Sequence, residues 1–195
     1  ALHATGKPVV LVLINGQPLT INWEDQNLPA ILEAWFPSFQ GGKIIAETLF
    51  GDYNPGGKLT VTFPKSVGQI ELNFPFKKGS HGTQPSSGPN GSGSTRVLGA
   101  LYPFGYTTFA YSNLEVTAPA KGTQGEVQIS FDITNTGKYA GEEVAQLYVR
   151  DLVSSVVTYD SRLRGFQRVL LQPNETKRMH FTLKPADLEL LDRNM

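Results

Sequence analysis

Residues Ile31–Pro64 read ILEAWFPSFQGGKIIAETLFGDYNPGGKLTVTFP. An apolar run, a double-glycine turn, a short amphipathic segment and a Gly/Pro-rich return follow one another without a gap. Leu28–Phe36 predicts a strand whose apolar residues are Ile31, Leu32, Ala34, Trp35 and Phe36. Gly41-Gly42 opens a helix running to about Phe50, because Ile44, Ile45, Thr48 and Leu49 recur on one side at helical spacing. Gly51 stands where a left-handed C-terminal cap belongs. Asn54-Pro55-Gly56-Gly57 predicts a tight turn, and Leu59–Phe63 alternates as a strand that Pro64 stops. Strand, helix and strand on short connections specify an α/β unit.

Upstream, residues 9–14 (VVLVLI) form a continuous β-branched and aliphatic run, the pattern of a strand covered on both faces of a parallel sheet, and Asn15-Gly16 ends it with a turn. Downstream, residues 79–95 (GSHGTQPSSGPNGSGST) hold too little apolar surface to offset their ordering entropy, so a linker or mobile surface loop is expected there. After about Thr107 the period becomes two. Val127, Ile129, Phe131 and Ile133 alternate with polar neighbours, Asn135-Thr136-Gly137 turns the chain, and further strands are expected at Val144–Val149, Phe166–Leu171 and Arg178–Leu183. Short strands separated by turn residues predict a β-sandwich of the immunoglobulin or fibronectin type. The fold class expected is therefore mixed: a partial α/β sandwich, with a parallel-type sheet and helices, followed by an immunoglobulin- or fibronectin III-like β-sandwich.

Composition narrows the chemistry. The 195 residues are 39% hydrophobic and 17% charged, with 17 basic and 17 acidic residues, which offers no long-range attraction for nucleic acid. There is no cysteine, so disulfides, thiolate zinc and a cysteine nucleophile are excluded. The longest apolar run, Pro8–Ile14, is far short of the roughly 20 residues that span a bilayer. No secretory leader opens the sequence.

Candidate sites are weighed one by one. Asp52–Lys58 (DYNPGGK) superficially resembles a phosphate-binding loop, but Asp52 and Leu59 occupy the positions that need glycine and Ser/Thr, and a strand is expected where a helix should follow. The acids Glu24, Asp25, Glu33, Glu47, Asp52, Glu142, Glu143, Asp151 and Asp160 are the natural acid/base candidates. Adjacent acids such as Glu24-Asp25, on an extended segment, point to opposite faces and cannot flank one glycosidic bond; caps, turns or solvated positions are the simpler reading. His3, His81 and His180 have no ligand spacing and support neither a metal site nor a triad, and His180 is expected at the surface. Trp23, Trp35, Phe36 and Tyr53 suit either a sugar-stacking platform or, in the simpler reading, core packing. Asn90-Gly91-Ser92 and Asn174-Glu175-Thr176 match the glycosylation triplet.

Two long passages, KPVVLVLINGQPLTI from Lys7 and AILEAWFPSFQGGKIIAETLFGDYNPGGKLTVTFPKSVGQI from Ala30, resemble the C-terminal half of the α/β sandwich domain of glycoside hydrolase family 3, which includes β-glucosidases and β-xylosidases. ALYPFGYTTFAYSNL at 100–114, DITNTGKYAGEEVAQLYVRD at 132–151 and LRGFQRVLLQPNETKRMHFTL at 163–183 resemble the fibronectin type III-like domain that ends many of these enzymes. The resemblance implies retaining hydrolysis of β-linked glucosides or xylosides by two carboxylates from different domains. The nucleophilic aspartate would lie on a preceding (β/α)8-type barrel, and the acid/base glutamate in the earlier part of the α/β domain. Both fall before Ala1, so no catalytic residue is assigned here, and substrate-binding residues stay unassigned.

The domain layout expected is 1–70 for the end of the α/β domain, 71–106 for a linker containing the 79–95 loop, and 107–195 for the fibronectin-like domain. Three departures stand out: PFGYTTF at 103–109 where the family reads PFGYGLSYTTF, Glu71-Leu72-Asn73-Phe74 where proline and aromatics are usual, and an end at Met195 before the last strands of the sandwich. No metal or organic cofactor is expected. Partners expected are the remainder of the parent enzyme and a glycoside substrate, with no nucleic acid and no membrane. The resemblance favours a periplasmic or extracellular location. The alternatives are a non-catalytic carbohydrate-binding or domain-docking module and a nucleotide-binding α/β protein.

Overall fold

The computed structural model describes residues 1–61, 63–64, 67, 105–119, 125–159 and 161–190. The 79–95 segment with His81 and Asn90, the departure at 71–74, and Asp160 lie outside these residues. Two compact units are present. Among the described residues, 1–53 and 59–67 form the first; 54–58 belong to the second, together with everything from 105 onward.

In the first unit a 3-10 turn at His3–Thr5 precedes strand β1 (Val10–Leu13), helix α1 (Asn22–Asn27), strand β2 (Ala30–Glu33) and helix α2 (Gly41–Phe50). Strands β1 and β2 pair in parallel, from Val10↔Ala30 to Leu13↔Glu33, with α1 in the crossover. Only Leu13 of β1 is buried, while Val10 and Ile14 are exposed, so the expected coverage on both faces is not met. A two-stranded pair is too small to enclose itself.

Helix α2 occupies the expected span. Gly51 caps it at φ 85°, a conformation glycine adopts without a Cβ penalty. Thr48 is buried and its hydroxyl donates to the Ile44 carbonyl at 2.9 Å, whereas Ile44 and Leu49 remain exposed.

Three local expectations are corrected. Glu24 and Asp25 lie in the first turn of α1, not on an extended segment; acids there complement the positive end of the helix. The chain turns at Gly51–Tyr53, where Tyr53 N–H donates to the Glu47 carbonyl at 3.1 Å, and not at Asn54–Gly57. Leu59–Phe63 forms no strand among its described residues, and Phe63 alone makes a bridge.

The second unit contains β3 (Phe109–Thr117), β4 (Val127–Asn135), β5 (Gly141–Val149), β6 (Arg162–Leu171), β7 (Thr176–Leu183) and a short helix α3 (Pro185–Leu188). All neighbours are antiparallel, in a β3-β4-β7 sheet and a β5-β6 pair. Strand β4 shows the period of two read from its sequence: Ile129, Phe131, Ile133 and Asn135 are buried. Together with Ala145, Leu171, Met179, Phe181 and Leu183 the three apolar ones form one core. Phe131 stacks between Tyr111 and Phe181, with ring centroids 5.8 Å away on each side.

Asn135 is the polar exception inside this core, and every side-chain bond it needs is made. Its Nδ2 donates to the carbonyls of Tyr139 (2.8 Å) and Leu171 (3.0 Å), and its Oδ1 accepts from Thr107 Oγ1 (2.6 Å) and Gly137 N–H (3.0 Å). The β4–β5 turn, the end of β6 and the approach to β3 are thereby tied to one side chain.

Ile133 is fully buried on β4. Ile133→Ala is expected to cost about 2–5 kcal/mol, read as a lower urea midpoint of the β-sheet circular dichroism signal with an unchanged slope.

Candidate functional site

The acidic candidates are held separately. Glu33 Oε1 accepts from Trp35 N–H at 2.9 Å, Glu47 faces Lys43 at 3.6 Å one helical turn away, and Asp151 Oδ1 accepts from Val153 N–H at 3.2 Å. Glu142 and Glu143 alternate on β5. Glu142 turns outward to Arg168 at 2.6 Å, a pair exposed enough to contribute about 0–1 kcal/mol. Glu143 turns inward. Among the described residues, no group of three or more His, Asp or Glu side chains converges as a metal site. No helix there is long and apolar enough to cross a membrane.

Glu143 has the most constrained environment of these acids. Its Oε1 accepts from Lys58 Nζ at 2.7 Å and from Tyr111 Oη at 2.6 Å, and the Lys58 and Glu143 side chains are only 14% and 5% exposed. Lys58 arrives on the segment Asn54–Lys58, which straps onto the second unit. Asn54 Nδ2 donates to the Ala140 carbonyl and Asn54 Oδ1 accepts from Tyr106 N–H, both at 2.8 Å. A Cβ at Gly56 would fall 2.6 Å from the Glu142 carbonyl oxygen, so only glycine lets the strap lie this close. The NPGGK sequence that resembled a phosphate loop is therefore an anchor, and its lysine is committed to a buried carboxylate.

The Tyr111 ring keeps an exposed edge while its hydroxyl is shielded. Burial first, then the hydrogen bond and charge of Glu143, push the phenol well above its ordinary value of 10.0. A phenol so held stays protonated, and the Glu143 Oε1 that accepts from it is already engaged by Lys58.

A second polar cluster, Asn113, Glu115, Ser130, Asp132 and Arg178, was not singled out in the sequence. Strand β3 bulges between Ser112 and Glu115, and Asn113 sits there at φ 51°. Arg178 donates to the Asn113 carbonyl (2.9 Å), Glu115 (2.6 Å), Ser130 Oγ (2.6 Å) and Asp132 (3.2 Å). The hydrogen bond from Asn113, aided by Arg178 and opposed by partial desolvation, holds the Asp132 carboxyl below its ordinary value. Spacing alone gives no sign of this cluster, because its members meet only through strand pairing.

The aromatic candidates divide differently from the core-packing expectation. Trp23, Phe36 and Tyr53 are exposed, and Trp35 is backed by Phe63 at 6.2 Å. Trp23 meets His3 edge-on at 5.4 Å. Trp35 and Phe36 lie past the end of β2 in a connecting loop. His180 is exposed on β7 between buried Met179 and Phe181, as its alternation predicts. Asn174 of the second glycosylation triplet lies in the exposed β6–β7 turn at φ 63°.

Comparison with known proteins follows this geometry. Residues 1–109 match the model of the glycosyl hydrolase family 3 C-terminal domain, and residues 143–195 match that of the fibronectin type III-like domain. A β-xylosidase of Formosa agariphila is 41% identical over 201 residues, covering 100% of this chain and 27% of the relative. A periplasmic β-glucosidase of Salmonella typhimurium is 44% identical over 198 residues, covering 98% and 25%. Among solved structures, a β-glucosidase from Erythrobacter marinus superposes with a TM-score of 0.84 at 38% identity, covering 98% of this chain and 25% of that one. A mutant β-glucosidase from Listeria innocua, in complex with laminaribiose, gives 0.81 at 29% identity, covering 99% and 28%. The chain spans about a quarter of the length of the relatives it matches. It belongs to glycosyl hydrolase family 3.

Two outcomes follow from the Glu143 cluster. Lys58→Met leaves a buried carboxylate without its cation and is expected to destabilise the second unit by about 3–5 kcal/mol, whereas Lys58→Met with Glu143→Met costs less than the lysine change alone; urea unfolding of the three proteins decides this. The raised Tyr111 phenol favours the protonated form in the folded state, so its contribution is intact below pH 10 and declines as pH rises above it. Tyr111→Phe should flatten the alkaline fall in melting temperature between about pH 10 and 11.5.

Proposed function

Starting from this membership, we propose that the chain is the C-terminal part of a retaining glycoside hydrolase that cleaves β-linked glucosides or xylosides. Its catalytic carboxylates come from portions of the polypeptide outside the chain. The observation that carries this reading is the coverage: relatives named β-xylosidase and β-glucosidase align with essentially all of this chain, yet with only 27% and 25% of themselves. The acids within the chain are consistent with it. Double displacement at an anomeric carbon needs two carboxyls about 5–5.5 Å apart across the scissile bond, and here the buried acid, Glu143, is already paired with Lys58 and Tyr111.

In this reading residues 1–70 belong to the end of the α/β domain, with β1 and β2 part of its parallel sheet, 71–106 link the domains, and 107–195 form the fibronectin-like domain. The strap Asn54–Lys58 is contributed by the first of these to the fold of the last. The chain's task is support: it shapes and steadies the enzyme around acids that it does not carry. No metal or organic cofactor enters this chemistry. The Salmonella relative, named periplasmic, favours the same compartment for the parent enzyme.

The test is release of p-nitrophenol from aryl β-glucoside and β-xyloside by the purified 195-residue chain. No sustained turnover is expected from the chain alone, and turnover is expected from the parent polypeptide that contains it. Turnover by the chain, abolished by replacing one of its own carboxylates, would overturn the proposal. Affinity of the chain alone for insoluble glucan, lost on replacing exposed aromatics, would favour a binding module instead.

A further inference from the structure

We propose that Arg164, at a bulge in strand β6, is one half of an ion pair whose carboxylate lies on the parent polypeptide outside this chain, and that this pair seats the β5–β6 side of the second unit. The inference rests on the reading above, that the chain is part of a longer enzyme, and adds where the rest of that enzyme engages it.

The backbone fixes the position. Strands β5 and β6 pair in step from Gly141↔Leu171 to Leu147↔Gly165, and the next pair is Tyr148↔Leu163. Arg164 is therefore the extra residue of a β-bulge, with no residue opposite it on β5. Bulges re-aim a side chain and recur at sheet borders and beside functional sites. This one sits close on the core: a Cβ at the next residue, Gly165, would fall 3.0 Å from Phe181 Cδ1.

The surroundings of the guanidinium are incomplete. Arg164 is half-buried, and its Nε is shut off from solvent with no hydrogen-bond partner. Among the described residues its side chain joins no ion pair or hydrogen bond. Arg168 and Arg178, by contrast, both have acids beside them. The two acids of the adjoining strand β5 are committed elsewhere, Glu142 to Arg168 at 2.6 Å and Glu143 to Lys58 at 2.7 Å. A donor that water does not reach and a half-buried charge that nothing matches both cost stability. That cost is offset once a partner reaches Nε.

The chemistry of the partner follows from the donor. Nε–H and the adjacent Nη–H form a planar fork whose spacing matches the two oxygens of a carboxylate. A carbonyl or hydroxyl would satisfy one N–H and leave the charge unmatched. The source follows from coverage. This chain aligns with 27% and 25% of its relatives, so most of an enzyme of that length lies outside it and is available to supply the acid.

The experiment compares Arg164→Met, Arg164→Gln and Arg164→Lys in the parent polypeptide and in the 195-residue chain, reading melting temperature by calorimetry. In the parent, the Met and Gln variants are expected to melt about 2–4 °C lower in the transition that unfolds the second unit. The Lys variant keeps the charge without the fork and should recover part of that loss. In the chain alone the cation has no partner to lose, so Arg164→Met should melt within about 1 °C of the unaltered chain, or above it. A residue acting only through its own packing would not produce that split. Equal losses in parent and chain, or no loss in the parent, overturn the proposal. Recovery by Gln as complete as by Lys points to a neutral acceptor and overturns it as well. Should the chain alone show no transition, the parent series decides. Melting is read whether or not the parent hydrolyses an aryl β-glycoside, so absence of turnover counts against the glycosidase reading alone.

Discussion

A carboxylate is buried inside the second unit, and three separate parts of the chain close around it. Glu143 comes from β5, Tyr111 from β3 in the opposite sheet, and Lys58 from a segment far upstream in sequence. Placing a charge there costs several kcal/mol unless its oxygens are bonded and its charge is matched. The sandwich meets that demand only when the strap is seated. Its other contacts, Asn54 on Ala140 and Tyr106 and Gly56 against β5, act to deliver Lys58 to one atom. Residues 54–58, although they follow α2 in sequence, are therefore part of the second unit.

Asn135 performs the corresponding task without charge. Both polar groups stand on strand positions that face the core, at the end of β4 and near the start of β5. They are the residues that a purely hydrophobic pattern would exclude. Apolar contacts among Ile129, Ile133, Leu171 and Phe181 supply the bulk of the driving force. The buried polar pair and the asparagine select one alignment of sheets, turn and strap from the many that similar burial would permit.

Much of this was legible in the sequence, for identifiable reasons. The alternation of Val127–Ile133 is unbroken, so β4 could be placed by period alone, and Gly51 marks the end of α2 because glycine alone takes φ 85° freely. Helix α1 was not legible: NWEDQN has no apolar repeat, and Glu24-Asp25 read as part of an extended segment. Leu59–Phe63 misled in the other direction: its alternation suggested a strand, and among its described residues Phe63 makes a single bridge. The strap was invisible because its partners lie some 85 residues away. In the loop after β2 the aromatic residues stand out in the sequence, but their orientation depends on the dihedrals of Trp35 and Ser38, which composition does not encode.

The bulge in β3 carries a consequence for how the molecule behaves in company. Strand β3 is the border of its sheet, nine residues long and carrying exposed Leu114 and Val116, a natural template for strand addition by a second copy. The interruption at Asn113, fixed by four donations from Arg178, breaks the row of free peptide groups into two short runs out of phase. A foreign strand that zips onto one run meets the wrong register at the next. A bulge held in this way makes the edge, as it stands among the described residues, a poorer template for strand addition than an unbroken strand of the same length.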